Sequence, residues 1–196
     1  MAGFTPSRTY ISVLLILSSA HLLNDLMQSL IPASYPILKT KYALSFVQIG
    51  IITFTFQIFG AFLQPIMGMI TDRHPAPYSP VLGMIFTLSG LVSLAFAQNY
   101  ESILISVALI GIGSSIFHPE ATRMARYAAG KQQGLAQGIF QVGGQSGGAL
   151  GPLFAALIIV PFGLSSLSWF SALGFLAIVL LFWIGKQQNR IRTEFS

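Results

Sequence analysis

Two short strings hold most of the residues in this chain that can do chemistry. The first is His21, Asn24 and Asp25; the second is His118, Glu120 and Arg123. Both lie inside apolar runs long enough to cross a bilayer, where ionisable groups are costly and by default functional. His21 and Asp25 are four residues apart, and Glu120 and Arg123 three, so on helices each pair shares a face and can interact. Counted from Tyr10, His21 lies about 16 Å along a helix, near mid-membrane, at a rise of about 1.5 Å per residue. Burial and a neighbouring cation act on a carboxylate's proton in opposite senses. A carboxylate under both influences can take a proton on one side of a membrane and release it on the other, and imidazole exchanges protons near neutrality. Asp25 and Glu120 are therefore the expected proton carriers, with His21 and His118 as relay partners. The plainer alternatives are a polar lock between helices for His21–Asp25 and a snorkelling ion pair near a helix end for Glu120–Arg123.

Neutral polar residues add to this. Gln137, Gln141 and Gln145 recur every four residues, and Gln57 and Gln64 are seven apart. Such stripes line a water-filled path or bond one helix to another. With Asn24 and Arg123, the glutamines are the expected cavity residues. Gly134, Gly138, Gly143, Gly144, Gly147, Gly148 and Gly151 crowd the same segment as the Gln137 stripe. Spacings of four among them let a second helix backbone approach closely. Gly151-Pro152 invites a kink, and Pro32, Pro36, Pro65 and Pro119 are expected to bend or end their helices. The chain has no Cys, no Ser-His-Asp arrangement, no phosphate loop and no metal-ligand spacing. Neither an enzyme, nor a cofactor, nor a metal site is expected.

The elements that must position these groups follow from composition. Of 196 residues, 54% are hydrophobic and 8% charged, against about 25% charged in a soluble domain. That is a polytopic membrane protein, with the lipid bilayer as its surroundings. A spanning helix needs about 20 apolar residues, and six runs qualify: about Tyr10–Ile31, Phe46–Ile70, Pro80–Ala97, Ser102–Met124, Gly134–Val160 and Leu164–Gly185. The expectation is an all-α bundle of six transmembrane helices over 10–185, with a basic linker or tail over 186–196. Barrel strands of about ten alternating residues do not fit. The apolar run after Arg8 continues past Ser18-Ser19-Ala20, which argues for a span and against a cleaved signal. Arg8, Arg73, Arg123, Arg126, Lys131, Lys186, Arg190 and Arg192 fall on the N-terminal side, and Lys39 and Lys41 on the other. Positive charge gathers inside, so both termini are expected in the cytoplasm. Because the basic residues are spread over loops, the net charge of +5 is no nucleic-acid footprint.

The fifth segment, with Gly138, Gly147, Gly151 and Pro152, resembles the antiporter motif of the major facilitator superfamily, Ala155 standing for its usual last Gly. Gly68, Asp72 and Arg73 resemble the first half of that superfamily's cytoplasmic loop signature, with Pro75-Ala76-Pro77 in place of the second half; Val107 stands where an Arg is usual. His21-Leu-Leu-Asn24-Asp25, Gly111-Ile-Gly113 through His118-Pro119-Glu120, and Gly134-Leu-Ala-Gln137 resemble the fosmidomycin-resistance group of bacterial drug/proton antiporters. The resemblance implies the N-terminal half of a twelve-helix transporter in the bacterial inner membrane, exchanging protons for a small-molecule drug. Its further partner would be a C-terminal six-helix half or a second copy. A sugar, organic-acid or phosphonate transporter of the same fold, and an assembly module inactive alone, are the competing readings.

Overall fold

The computed structural model describes residues 9–73 and 76–193, with backbone only for 188–193. Arg8 and Pro75 lie outside the described residues, as do the side chains of Arg190 and Arg192. The described chain is helical. Helix α1 is Ile11–Ala33, α2 Tyr35–Lys41, α3 Phe46–Gln57, α4 Gln64–Arg73, α5 Ser79–Ala95, α6 Tyr100–Ala128, α7 Gln133–Phe154, α8 Val160–Phe162 and α9 Ser171–Thr193. A π turn, Ile58–Phe62, joins α3 to α4, and a second, Ala155–Ile159, joins α7 to α8. A 3-10 segment, Leu164–Phe170, leads into α9.

Local chemistry explains the boundaries. Ser45 caps α3 and exchanges bonds with Gln48, and Asn99 does the same with Ser102 at the start of α6. Such reciprocal capping satisfies backbone N–H groups that have no partner inside the helix. Each π turn contains the residue four before a proline, Ala61 before Pro65 and Leu157 before Pro161. A proline ring collides with that carbonyl, and the wider π turn relieves the crowding without ending the helix. Pro119 and Pro152 likewise sit within continuous helices, α6 and α7. Neither helix stops there.

Five helical stretches are long and apolar enough to cross a membrane: Ile11–Ala33, Phe46–Arg73, Tyr100–Ala128, Gln133–Phe162 and Leu164–Gln187. The remaining expected span is α5, whose 17 residues make about 25 Å of helix at about 1.5 Å per residue. Neighbouring stretches run antiparallel. At one end the Tyr10 N–H donates to the Ala128 carbonyl at 2.9 Å, tying the start of α1 to the end of α6. At the other end the Tyr42 hydroxyl donates to the Ala97 carbonyl, joining the α2–α3 turn to the α5–α6 turn.

Helix α6 is the most enclosed stretch, and Phe46–Arg73 the least. Helix α1 packs along α7, and α5 along α6. Glycine makes the second contact possible: a side chain on Gly83 would strike the Gly113 carbonyl at 2.8 Å and the Phe117 backbone at 2.9 Å. Phe46, Val47, Phe54 and Phe62 stand exposed along α3 and its π turn, and Val142, Leu153 and Leu157 along α7 and the turn after it. Two sequence expectations change. Gly68, Asp72 and Arg73 are helical, on α4, and not in a loop. The expected loop after Met124 begins four residues later, because α6 continues to Ala128 and keeps Arg126 on the helix.

Candidate functional site

Asp25 lies where α1 meets α6, and both histidines converge on it. His21 Nε2 is 3.2 Å from Asp25 Oδ2, and His118 Nε2 is 3.2 Å from Asp25 Oδ1. The first contact follows from helical spacing. The second joins residues 93 apart in sequence.

Both rings are fixed from behind. His21 Nδ1 donates to the Phe140 carbonyl at 2.9 Å, and His118 Nδ1 donates to the Ser114 carbonyl at 2.9 Å. A carbonyl only accepts, so each Nδ1 carries hydrogen, and each neutral ring turns a lone pair at Nε2 toward the carboxylate. Two electron-pair donors thus face a third. Each contact becomes attractive only when a proton or another cation lies in it.

Packing holds this arrangement. The His21 ring stacks on Phe140 with centroids 4.0 Å apart and meets His118 edge-on at 5.3 Å. His21 is buried, whereas Asp25 is 25% and His118 23% exposed, so the site is closed on one side and open on the other. Gly144 of α7 completes the closed side: a side chain there would overlap His21 and come within 2.9 Å of Asp25 Oδ2. Asn24 Nδ2 donates to Asp25 Oδ1 at 3.0 Å, and the Thr87 hydroxyl reaches Asn24 Oδ1 at 3.4 Å. Asn24, expected on a cavity wall, is fully buried and orients Asp25 instead.

His118 also borders a cavity of about 380 Å³ between α4 and α6, with Gln64, Gly68, Thr71, Asp72, Thr122 and Arg126 among its walls. Its ring therefore touches both the open cavity and the half-buried carboxylate.

Glu120 does not join this cluster. It is buried and pairs with Arg123, Nη2 to Oε2 at 2.5 Å. Arg123 also donates through Nη1 to the Thr71 carbonyl and lies 3.6 Å from Asp72 Oδ1. Arg123, expected in the cavity with the glutamines, is a buried clamp between α6 and the end of α4, and Arg126 takes the cavity position. Of the glutamines, Gln57, Gln141 and Gln145 are exposed and Gln137 half-buried, on the sparsely covered helices α3 and α7.

The glycines divide in two. Gly143, Gly147 and Gly151 meet α1 at Ser18, Leu22 and Ser29, as the spacing of four implies. Gly134, Gly138 and Gly148 face open space, so the Gly144/Gly148 spacing makes a close contact only at Gly144.

Sequence reasoning missed Phe140, Ser114, Thr87 and Thr71. Only Ser114 carried a signal, its position four before His118. The expectation that no metal-ligand set exists also changes at the level of geometry. One ligand atom each from His21, Asp25 and His118 lies within 4.8 Å of the others, a juxtaposition without a short sequence spacing.

Comparison with known proteins fits this architecture. The model of the Major Facilitator Superfamily matches residues 17–194. The fosmidomycin resistance protein of Escherichia coli is 51% identical over 94% of this chain and 46% of its own length. An uncharacterized MFS-type transporter of Bacillus subtilis, YfnC, is 45% identical over 92% of this chain and 44% of its own. The chain thus spans about half the length of these relatives. Among solved structures, a bacterial homolog of the human lysosomal transporter Spinster, inward-facing and occupied, superposes with a TM-score of 0.78 at 22% identity. That superposition covers 92% of this chain and 45% of the other, and supports the fold alone. With a family model matched over most of its length and a helical bundle of the same fold, this chain belongs to the Major Facilitator Superfamily, a multi-pass membrane transporter family and not an enzyme family.

Proposed function

We propose that this chain is the N-terminal half of a proton-coupled exporter of a small-molecule drug, fosmidomycin-like, in the bacterial inner membrane. The observation that carries this reading is the Asp25 carboxylate held between His21 and His118 inside the membrane region. The identity to a protein named for fosmidomycin resistance supplies the substrate to try first.

In this mechanism Asp25 takes a proton from outside and hands it to His118 Nε2; the imidazolium then turns away from the carboxylate and releases that same proton from Nε2 toward the α4–α6 cavity. Glu120 is the second carboxylate of the path; its pair with Arg123 must open before it can accept a proton. The exposed Gln57, Gln141 and Gln145 line the drug pathway together with a C-terminal six-helix half, which covers the sparsely packed faces of α3 and α7. Transport sites of this class lie between repeats. Gly147, Gly151 and Pro152 hold α7 on α1 during closure of the outward side. Helix α5 is the sixth crossing, residues 10–185 form the bundle, and 186–196 form a basic linker. Lys39 and Lys41 face outward while Arg73, Arg126, Lys131 and Lys186 face the cytoplasm with both termini, as the positive-inside rule requires.

The test uses everted membrane vesicles containing this chain and a co-expressed C-terminal half, an imposed pH gradient and a fluorescent pH dye. Fosmidomycin is expected to dissipate the gradient with Asp25 intact and not with Asp25→Asn at equal membrane abundance. Retained drug-dependent flux in Asp25→Asn refutes the assignment. A flux of opposite sign on adding a sugar, organic acid or phosphonate would make the protein an importer.

A further inference from the structure

The donor set at Asp25 has a second use, which goes beyond the exporter reading. Each histidine spends its Nδ1 hydrogen on a backbone carbonyl, His21 on Phe140 and His118 on Ser114. That is the outer-shell arrangement which fixes the tautomer and aim of a metal-binding imidazole. Both Nε2 atoms then point at one carboxylate, with two of the contacts at 3.2 Å. Three ligands at about 2 Å from a tetrahedral ion lie roughly 3.3 Å from one another. Those two contacts fall on different carboxylate oxygens; with Oδ2 as the shared ligand, the two remaining separations, both to His118 and within 4.8 Å, close by movement of His118, which is 23% exposed and not packed on every side. Asn24 anchors the carboxylate by its own hydrogen bond, and Gly144 leaves room where any side chain would displace both first-helix ligands. The partly exposed sides of Asp25 and His118 supply an entry path and leave one coordination position free.

We propose that His21 Nε2, His118 Nε2 and one carboxylate oxygen of Asp25 bind a single divalent transition-metal ion. Two imidazoles with one carboxylate select zinc-like ions over magnesium or calcium, which require mostly oxygen ligands. The site differs from the Glu120–Arg123–Asp72 cluster, where a guanidinium already fills the space between the carboxylates.

The probe is Co²⁺, whose visible ligand-field absorption reports coordination directly. The full chain, purified in detergent with a histidine-free tag, is titrated with Co²⁺ and the absorption followed to saturation. One equivalent per chain is expected, displaced by Zn²⁺ and not by Mg²⁺. His118→Gln and Asp25→Asn are expected to weaken binding by more than about 100-fold, beyond the 10–100-fold typical of losing an outer-shell partner. His74→Gln, at the third histidine of the sequence, is expected to leave it unchanged. Size-exclusion profiles establish that each variant is folded. The absence of a saturable band in the unmutated chain, or a band preserved in folded His118→Gln or Asp25→Asn, overturns the proposal. Because the readout is spectroscopic, saturable Co²⁺ binding with no drug-dependent proton flux sinks the exporter reading alone, and the reverse result sinks this one alone.

Discussion

Gly144→Ala is the substitution that most directly probes whether the Asp25 site depends on helix packing. The added methyl group would stand 2.6 Å from His21 Nε2 and 2.9 Å from Asp25 Oδ2. Neither neighbour can retreat cheaply. His21 is sandwiched by Phe140 at 4.0 Å and bonded to the Phe140 carbonyl, so moving its ring gives up both contacts. Overpacking of a close-packed site costs about 1–3 kcal/mol. The internal control is Gly148, four residues along, where a methyl group meets nothing within 4 Å. There, alanine should stabilise the helix by up to about 1 kcal/mol through propensity alone. Gly144→Ala gains the same propensity, so the two variants should differ by the overpacking cost alone, about 1–3 kcal/mol. Reversible unfolding in mixed detergent micelles measures the gap, and the vesicle assay should show drug-coupled proton flux falling only in Gly144→Ala. Equal stability of the two variants would mean that α7 does not press on the first-helix pair, and the tertiary argument for the site would fail.

The same unfolding assay checks two more expectations. Arg123→Ala leaves Glu120 buried without its cation and should cost about 3–5 kcal/mol; replacing both with apolar residues of similar volume should cost much less. Equal losses for the single and double variants would show that Glu120 does not depend on Arg123. Gly151→Ala drives a methyl group into the Ser29 side chain, so Ser29→Gly should rescue it with a coupling of at least about 1 kcal/mol, within the range of contacting residues. Gly147→Ala meets the Leu22 carbonyl instead, a backbone atom that no α1 side-chain change removes, so Leu22→Ala should give no comparable rescue.

The long helices were legible because lipid imposes a simple requirement. A chain with 8% charged residues and runs of about 20 apolar ones must satisfy its backbone inside helices. The i,i+4 pair His21–Asp25, the i,i+3 pair Glu120–Arg123 and the spacing of Gly143, Gly147 and Gly151 are readable for the same reason, since helical geometry alone sets them. Boundaries were less legible. The helical state of Gly68–Arg73 depends on α4 continuing past the apolar run toward Arg123, whose guanidinium holds the Thr71 carbonyl. Pro65 is expected from sequence to bend or end its helix, yet a π turn accommodates it within a longer helical stretch.

What the sequence by itself determined is the class of the molecule, its long apolar helices and the contacts that lie within one helix, all of them local consequences of composition and the 3.6-residue turn. What only the tertiary structure decided is which polar groups meet. Nothing in residues 21–25 reveals that His118 closes on Asp25 from α6 or that Phe140 from α7 fixes the His21 ring. Those outcomes depend on how closely the backbones approach, which Gly144 and its neighbours permit, and on which face of α6 each packed helix leaves open.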